Sequence, residues 1–157
     1  MDDSKLSDVA FHLCEIARNN LMRDGYVAFA TLFSRNGTDI VPAIICKPDG
    51  SMADKDVLAA AVRELAKSSV WVAQVCEAWM LDDLSLYNPD LPVSEHSNRV
   101  EAIFINVQSQ IGTYIMTAKF KRDKDQKPIQ PHVIDTKFIS RNDNTHHVEG
   151  RMSNFYS

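Results

Sequence analysis

The chain has 157 residues, with 17 Lys and Arg against 21 Asp and Glu, a formal charge of −4 and 45% hydrophobic positions. That length suits one ordinary domain whose core needs no metal or disulfide staple. The acidic balance disfavours nucleic acid as a partner, because a phosphate-binding surface needs clustered cations.

Residues 4–23 place Leu6, Val9, Leu13 and Ile16 at helical spacing, with Ala10, Ala17 and Leu21 widening the stripe, and Gly25 supplies a C-terminal stop. Phe11 projects opposite that stripe and is expected to be covered by the C-terminal tail or, as the alternative, by a second subunit. Strand-forming runs over 26–34 and 38–47 flank Asn36-Gly37, a pair suited to a tight hairpin turn, and Pro42 places the second run at a sheet edge. A second amphipathic helix is expected over 53–67, with Val57, Leu58, Ala61, Val62 and Leu65 on one face and Ser51 as its cap. Strands follow over 69–81, 100–109, 113–121 and 132–139, the middle two joined through Gln110-Ile111-Gly112. This order, α-β-β-α-β-β-β with a further strand, predicts an α+β domain over 1–139: an antiparallel sheet of five to six strands with both helices on one face, followed by a polar tail over 140–157.

No apolar run reaches the roughly 18 residues needed to cross a bilayer, and Met1-Asp2-Asp3 lacks the basic and apolar regions of a signal peptide, so a cytoplasmic protein with no membrane partner is expected. Cys14, Cys46 and Cys76 lie far apart in apolar runs and read as reduced core thiols. The basic run Lys119, Lys121, Arg122, Lys124 and Lys127 is broken by Asp123 and Asp125 and reads as a solvated loop. Phosphate-loop, dinucleotide, nucleophile-elbow and zincin motifs are absent, as is the P-C-x-x-C pair of a zinc deaminase. Asp90 and Glu101 lack the following lysine of a nuclease-type acidic pair. His146-His147 with Asp143 reads as a solvated tail rather than a metal site, His12 as a packed residue on the first helix, and His132 as a strand-start residue. No metal and no cofactor are expected.

Chemistry concentrates where the strand ending in Glu77-Ala78-Trp79 gives way to a loop and then to Ser94-Glu95-His96-Ser97-Asn98-Arg99-Val100-Glu101. Alternation sets Glu77 on the row of Trp71, Val75 and Trp79, and Glu101 on the row of Ile103, Ile105 and Val107. A half-buried carboxylate needs a partner. Arg99 is expected to neutralise both, with Trp79 packed over its guanidinium, and His96 to supply a donor or an acid–base group.

This stretch resembles small uncharacterised bacterial and phage proteins in which a Glu-Ala-Trp strand end precedes Ser-Glu-His-x-x-Arg-x-Glu. Glu77, Trp79, Ser94, Glu95, His96, Arg99 and Glu101 match over about residues 70–120. The resemblance implies no reaction, but marks Glu77, Trp79, Glu95, His96, Arg99 and Glu101 as the candidate binding cluster. The expected function is a non-enzymatic interaction or ligand-binding module, encoded by a phage or mobile element, whose partner is a protein, a second copy of the chain or a small molecule. The rival reading is a hydrolase-like or ligand-processing enzyme using Glu77, His96, Arg99 and Glu101.

Overall fold

The first helix is fixed at both ends by its own sequence. Asp2 accepts the Lys5 N–H at 3.1 Å, and Gly25, at φ 86°, donates its N–H to Leu21 O at 2.8 Å, the left-handed cap that a side-chain-free residue adopts without penalty. The computed structural model describes residues 2–45, 49, 51, 54–81, 83–141 and 156. Its elements are α1 (Asp3–Asp24), β1 (Ala30–Ser34), β2 (Val41–Ala43), α2 (Lys55–Ala66), β3 (Trp71–Leu81), β4 (Arg99–Ser109), β5 (Gly112–Phe120) and β6 (His132–Ser140). The six strands form one antiparallel sheet in the order β2-β1-β3-β4-β5-β6, so the α+β class and the element order are as expected. No helix among the described residues is long and apolar enough to cross a membrane.

The helices lie on opposite faces of this sheet, a correction to the one-face arrangement. Leu6, Ala10, Leu13, Ala17 and Leu21 of α1 pack with Ala73 and Val75 of β3, Ile103, Ile105 and Val107 of β4, and Met116 and Ala118 of β5. Ala59, Val62 and Ala66 of α2 pack with Val72 and Phe33, which point the other way. The unbroken burial of Trp71 through Val75 is the physical reason: a strand buried on consecutive residues must be covered on both sides. Burial of α2 runs through Ala59, Val62 and Ala66, while Val57 is exposed. Its cap is Asp54, which accepts the Val57 N–H at 2.9 Å; Ser51 instead bonds the Asp49 carboxylate. Phe11 is 49% exposed, and the tail expected to cover it lies, Tyr156 apart, outside the described residues; His12, expected to be packed, is exposed. Tyr156, near the chain end, packs at the α2 core and donates its hydroxyl to Ser69 O at 3.1 Å. Cys46, Asp143, His146 and His147 lie outside the described residues.

The β1–β2 hairpin turns about Gly37, with Phe33 opposite Val41, but its strands are shorter than expected and joined by a loop of residues 35–40 rather than a two-residue turn. Gly37 has φ 92°, whereas Asn36 is not in the positive-φ region and contributes its side chain: Oδ1 accepts N–H groups from Thr38 and Asp39, both at 2.9 Å. Asp39 closes the loop by accepting from Ser34 Oγ and Arg35 N at 2.8 Å and from Arg35 Nε at 2.7 Å. Pro42 sits on edge strand β2, where its missing N–H is harmless. Gly112 closes the β4–β5 turn, where a Cβ would collide with Ile139 O.

Two outcomes follow for this hairpin. Gly37→Val should destabilise by about 1 to 2 kcal/mol, because a β-branched residue resists positive φ; an unchanged urea midpoint would place the strain elsewhere. The Arg35 guanidinium, with the Ser34 hydroxyl and loop N–H groups, holds the Asp39 carboxyl well below its ordinary value of 3.8. A depressed folded value means that ionised Asp39 stabilises the fold above pH 3.8 and loses that contribution as the pH falls below it. Asp39→Asn should therefore lower the melting temperature at neutral pH, with the gap to wild type closing in acid. A gap of constant size across pH would contradict this role.

Candidate functional site

Beyond the end of α1, the apolar rows of β3, β4 and β5 give way to polar groups. In the β3–β4 register Glu77 faces Ile103, Trp79 faces Glu101 and Leu81 faces Arg99, and on its other side Glu101 faces Phe120. Glu77, Ala78, Trp79 and Glu101 line a shallow pocket of about 100 Å³. Glu77, Trp79 and Glu101 thus share one end of the sheet.

Their counterion is not the one expected. Arg99 lies over Trp79, 4.7 Å from the ring centroid, and donates to His96 O at 3.0 Å. The Trp79–Arg99 stack is as expected, but the cation of Glu101 is Arg122, whose Nε donates to both carboxylate oxygens, at 3.1 and 2.9 Å. Arg122 Nη1 also donates to Gly25 O at 3.0 Å and Gln126 O at 3.1 Å, and its guanidinium stands over Phe120 at 5.4 Å. The solvated-loop reading thus fails at Arg122, which is half-buried, because three elements supply acceptors that only a planar, five-donor group can join. Glu77 takes a different partner: Oε1 accepts the Val27 N–H at 2.5 Å. Together Arg122 and Glu77 tie the Gly25–Val27 segment to the end of the sheet.

His96 is 5% exposed and spans the loop between β3 and β4. Its Nε2 accepts the Asn88 N–H at 2.9 Å, so Nδ1, 3.0 Å from Pro92 O, carries the proton and donates. The ring stacks on Tyr87 at 5.7 Å between centroids. Both ring nitrogens are engaged in folding the loop, which removes the side chain from the carboxylates. Glu95 is exposed in the turn Val93–Glu95 and joins none of these contacts. Burial pushes the Cys14 and Cys76 thiols upward, Cys76 being raised further by Glu77, so both remain protonated and weakly nucleophilic. Among the described residues no three His, Cys, Asp or Glu gather to hold a metal.

The segment fixed by Arg122 and Glu77 forms one wall of a larger cavity that the sequence did not reveal. About 270 Å³ lies between α1 and β1, lined by Leu13, Ala17, Val27, Ala30, Leu32 and Val75, with Asn20 and Asp24 at the mouth. Its origin is geometric. A helix about 10 Å across covers roughly two strands spaced about 4.8 Å apart, and α1 lies over β4 and β5. The β1 flank stays open, and alanines at 17 and 30 leave it unfilled. Ile16, assigned to the buried stripe, is 42% exposed at this opening. Comparison of the chain with family models, curated proteins and solved structures finds no match.

Arg122→Met should cost roughly 2 to 3 kcal/mol, between the values for exposed and fully buried pairs, and Glu101→Gln on that background should recover part of the loss. Arg99→Met should cost less than about 1 kcal/mol, since its stack and single hydrogen bond lie at the surface. Denaturant titrations of these variants decide the matter: an Arg99 variant weaker than the Arg122 variant would return the counterion role to Arg99.

Proposed function

We propose that this protein is a non-enzymatic binding module whose ligand, a compact apolar molecule of one or two rings, seats in the cavity between α1 and β1. The observation that carries the reading is the cavity itself: about 270 Å³, lined chiefly by apolar side chains, with Asn20, Asp24 and the exposed Tyr26 as its polar ones. That volume exceeds the roughly 150 Å³ that accepts a benzene ring and falls just below the usual range for larger ligands. Further support comes from the groups that a hydrolase-like reaction would need. Glu101 is occupied by Arg122, Glu77 by a main-chain N–H, and His96 by two loop contacts. In this reading the carboxylate cluster serves binding indirectly, by holding the Gly25–Val27 wall in place.

Titration with Nile red, a neutral dye whose emission rises in apolar surroundings, tests the site. Wild type should bind saturably, and Ala30→Leu, which fills the cavity from the β1 side, should weaken binding about tenfold, the worth of one or two methylene groups of lost space. Its melting temperature should hold or rise, because apolar side chain replaces void. Equal dye binding by the Ala30 variant, or no saturable binding by wild type, would overturn the assignment.

A further inference from the structure

The loop between β1 and β2 brings together the parts of a reaction on its own chain. Asn36 is the one asparagine of the sequence that a glycine follows, and it is exposed. An amide is a poor electrophile and a main-chain nitrogen a poor nucleophile, so the two react only where both are activated and close at hand. Adjacent residues supply the closeness, and the loop supplies the activation. The Gly37 N–H donates to Ser34 Oγ at 2.8 Å, and that buried hydroxyl donates in turn to Asp39 Oδ1 at 2.8 Å, so a carboxylate draws on the Gly37 proton through one intermediary. Arg35 Nε, 2.7 Å from Asp39 Oδ2, keeps that carboxylate ionised. On the electrophile, Asn36 Oδ1 accepts from Thr38 N, Thr38 Oγ1 and Asp39 N, each at 2.9 Å. These are three donors on the oxygen where negative charge develops when Asn36 Cγ is attacked. Gly37 has no side chain to crowd the five-membered ring that such an attack closes.

We propose that Asn36-Gly37 is a self-modification site, at which the folded loop accelerates the conversion of Asn36 to aspartate and isoaspartate. The Gly37 nitrogen attacks Asn36 Cγ, and the new N–Cγ bond closes a succinimide ring as the Cγ–Nδ2 bond breaks. The proton that leaves Gly37 by way of Ser34 ends on the departing nitrogen, which escapes as ammonia, and nothing is oxidised or reduced. Solvent water, the co-reactant, then opens the ring. Opening at the side-chain carbonyl gives aspartate; opening at the main-chain carbonyl gives isoaspartate, whose extra main-chain methylene lengthens the loop by one atom. Ser34 touches the reacting nitrogen, and Asp39 acts through it as a positioning residue. Hydrogen bonds of this kind can also restrain an asparagine, and the two effects have opposite signatures: loosening the loop slows an assisted reaction and speeds a restrained one.

Mass spectrometry of the tryptic peptide 36–47, released by cleavage after Arg35 and Lys47, follows the reaction through the mass gain of acid over amide. Folded wild type should convert about tenfold faster, or more, than the same chain unfolded in urea at equal pH. Ser34→Ala and Asp39→Asn, shown to be folded by far-UV circular dichroism, should each slow the conversion about tenfold. The pH profile separates assistance from mere shape. In the unfolded chain hydroxide is the base and the rate rises about tenfold per pH unit, whereas folded wild type should rise less steeply and both variants should regain the steep dependence. A folded wild type that converts no faster than the unfolded chain, either variant as fast as wild type or faster, or a wild type as steep in pH as the unfolded chain would each overturn the proposal.

Discussion

The ion pair between Arg122 and Glu101 is the constraint on which the arrangement around it depends. Glu101 extends an apolar row, so its carboxylate is partly withdrawn from water, and a cation arriving from a neighbouring element offsets that desolvation. Arg122 arrives from the connection after β5 and spends its remaining donors on the carbonyl of the α1 cap and on its own loop. One side chain therefore sets the exit angle of the helix, the shape of the turn before β6 and the position of the segment that walls the cavity. The cationic side chain also lies at the negative end of the α1 dipole, where its charge is favoured.

The second constraint is coverage. Six strands present more surface than one helix per face can hide, and where α1 sits determines what stays open. Over β4 and β5 it buries the largest aliphatic rows, which is where burial stabilises most. The β1 flank is left with small residues, and the resulting space stays apolar because its floor continues the same alternating rows.

Much of this was legible in the residues. Gly25 as a helix stop, the Glu77 and Glu101 rows, the β4–β5 hairpin and the edge position of Pro42 rest on local chemistry that the fold does not override. Arg122 was hidden by context: a cation among Lys121, Asp123 and Lys124 looks like any hydrated turn. A signal existed, however. A turn at residues 110–111 sets Glu101 opposite Phe120, so Arg122, two residues on, falls on the same face and diagonal to the carboxylate. His96 misled for a related reason. Its neighbours in sequence are charged, but its partners are main-chain groups of Asn88 and Pro92, which no composition reveals. The placement of the helices on opposite faces was readable only as the run of consecutive apolar residues opening β3.

The cavity beside β1 and the strand β6 lie at opposite margins of the sheet, and that separation matters for how changes at each combine. Ala30 is in β1 and Asp135 in β6, with β3, β4 and β5 between them, four strand spacings or roughly 19 Å. Changes that far apart, with no shared partner, are expected to add. A side chain that fills the cavity is therefore not expected to disturb β6, nor a change at Asp135 to move the Gly25–Val27 wall. Arg122 is the exception, since it stands at the root of the turn that leads into β6 and holds the cavity wall as well. Loss of that single guanidinium is thus the one change that should disturb both margins together, through the helix exit on one side and the turn on the other.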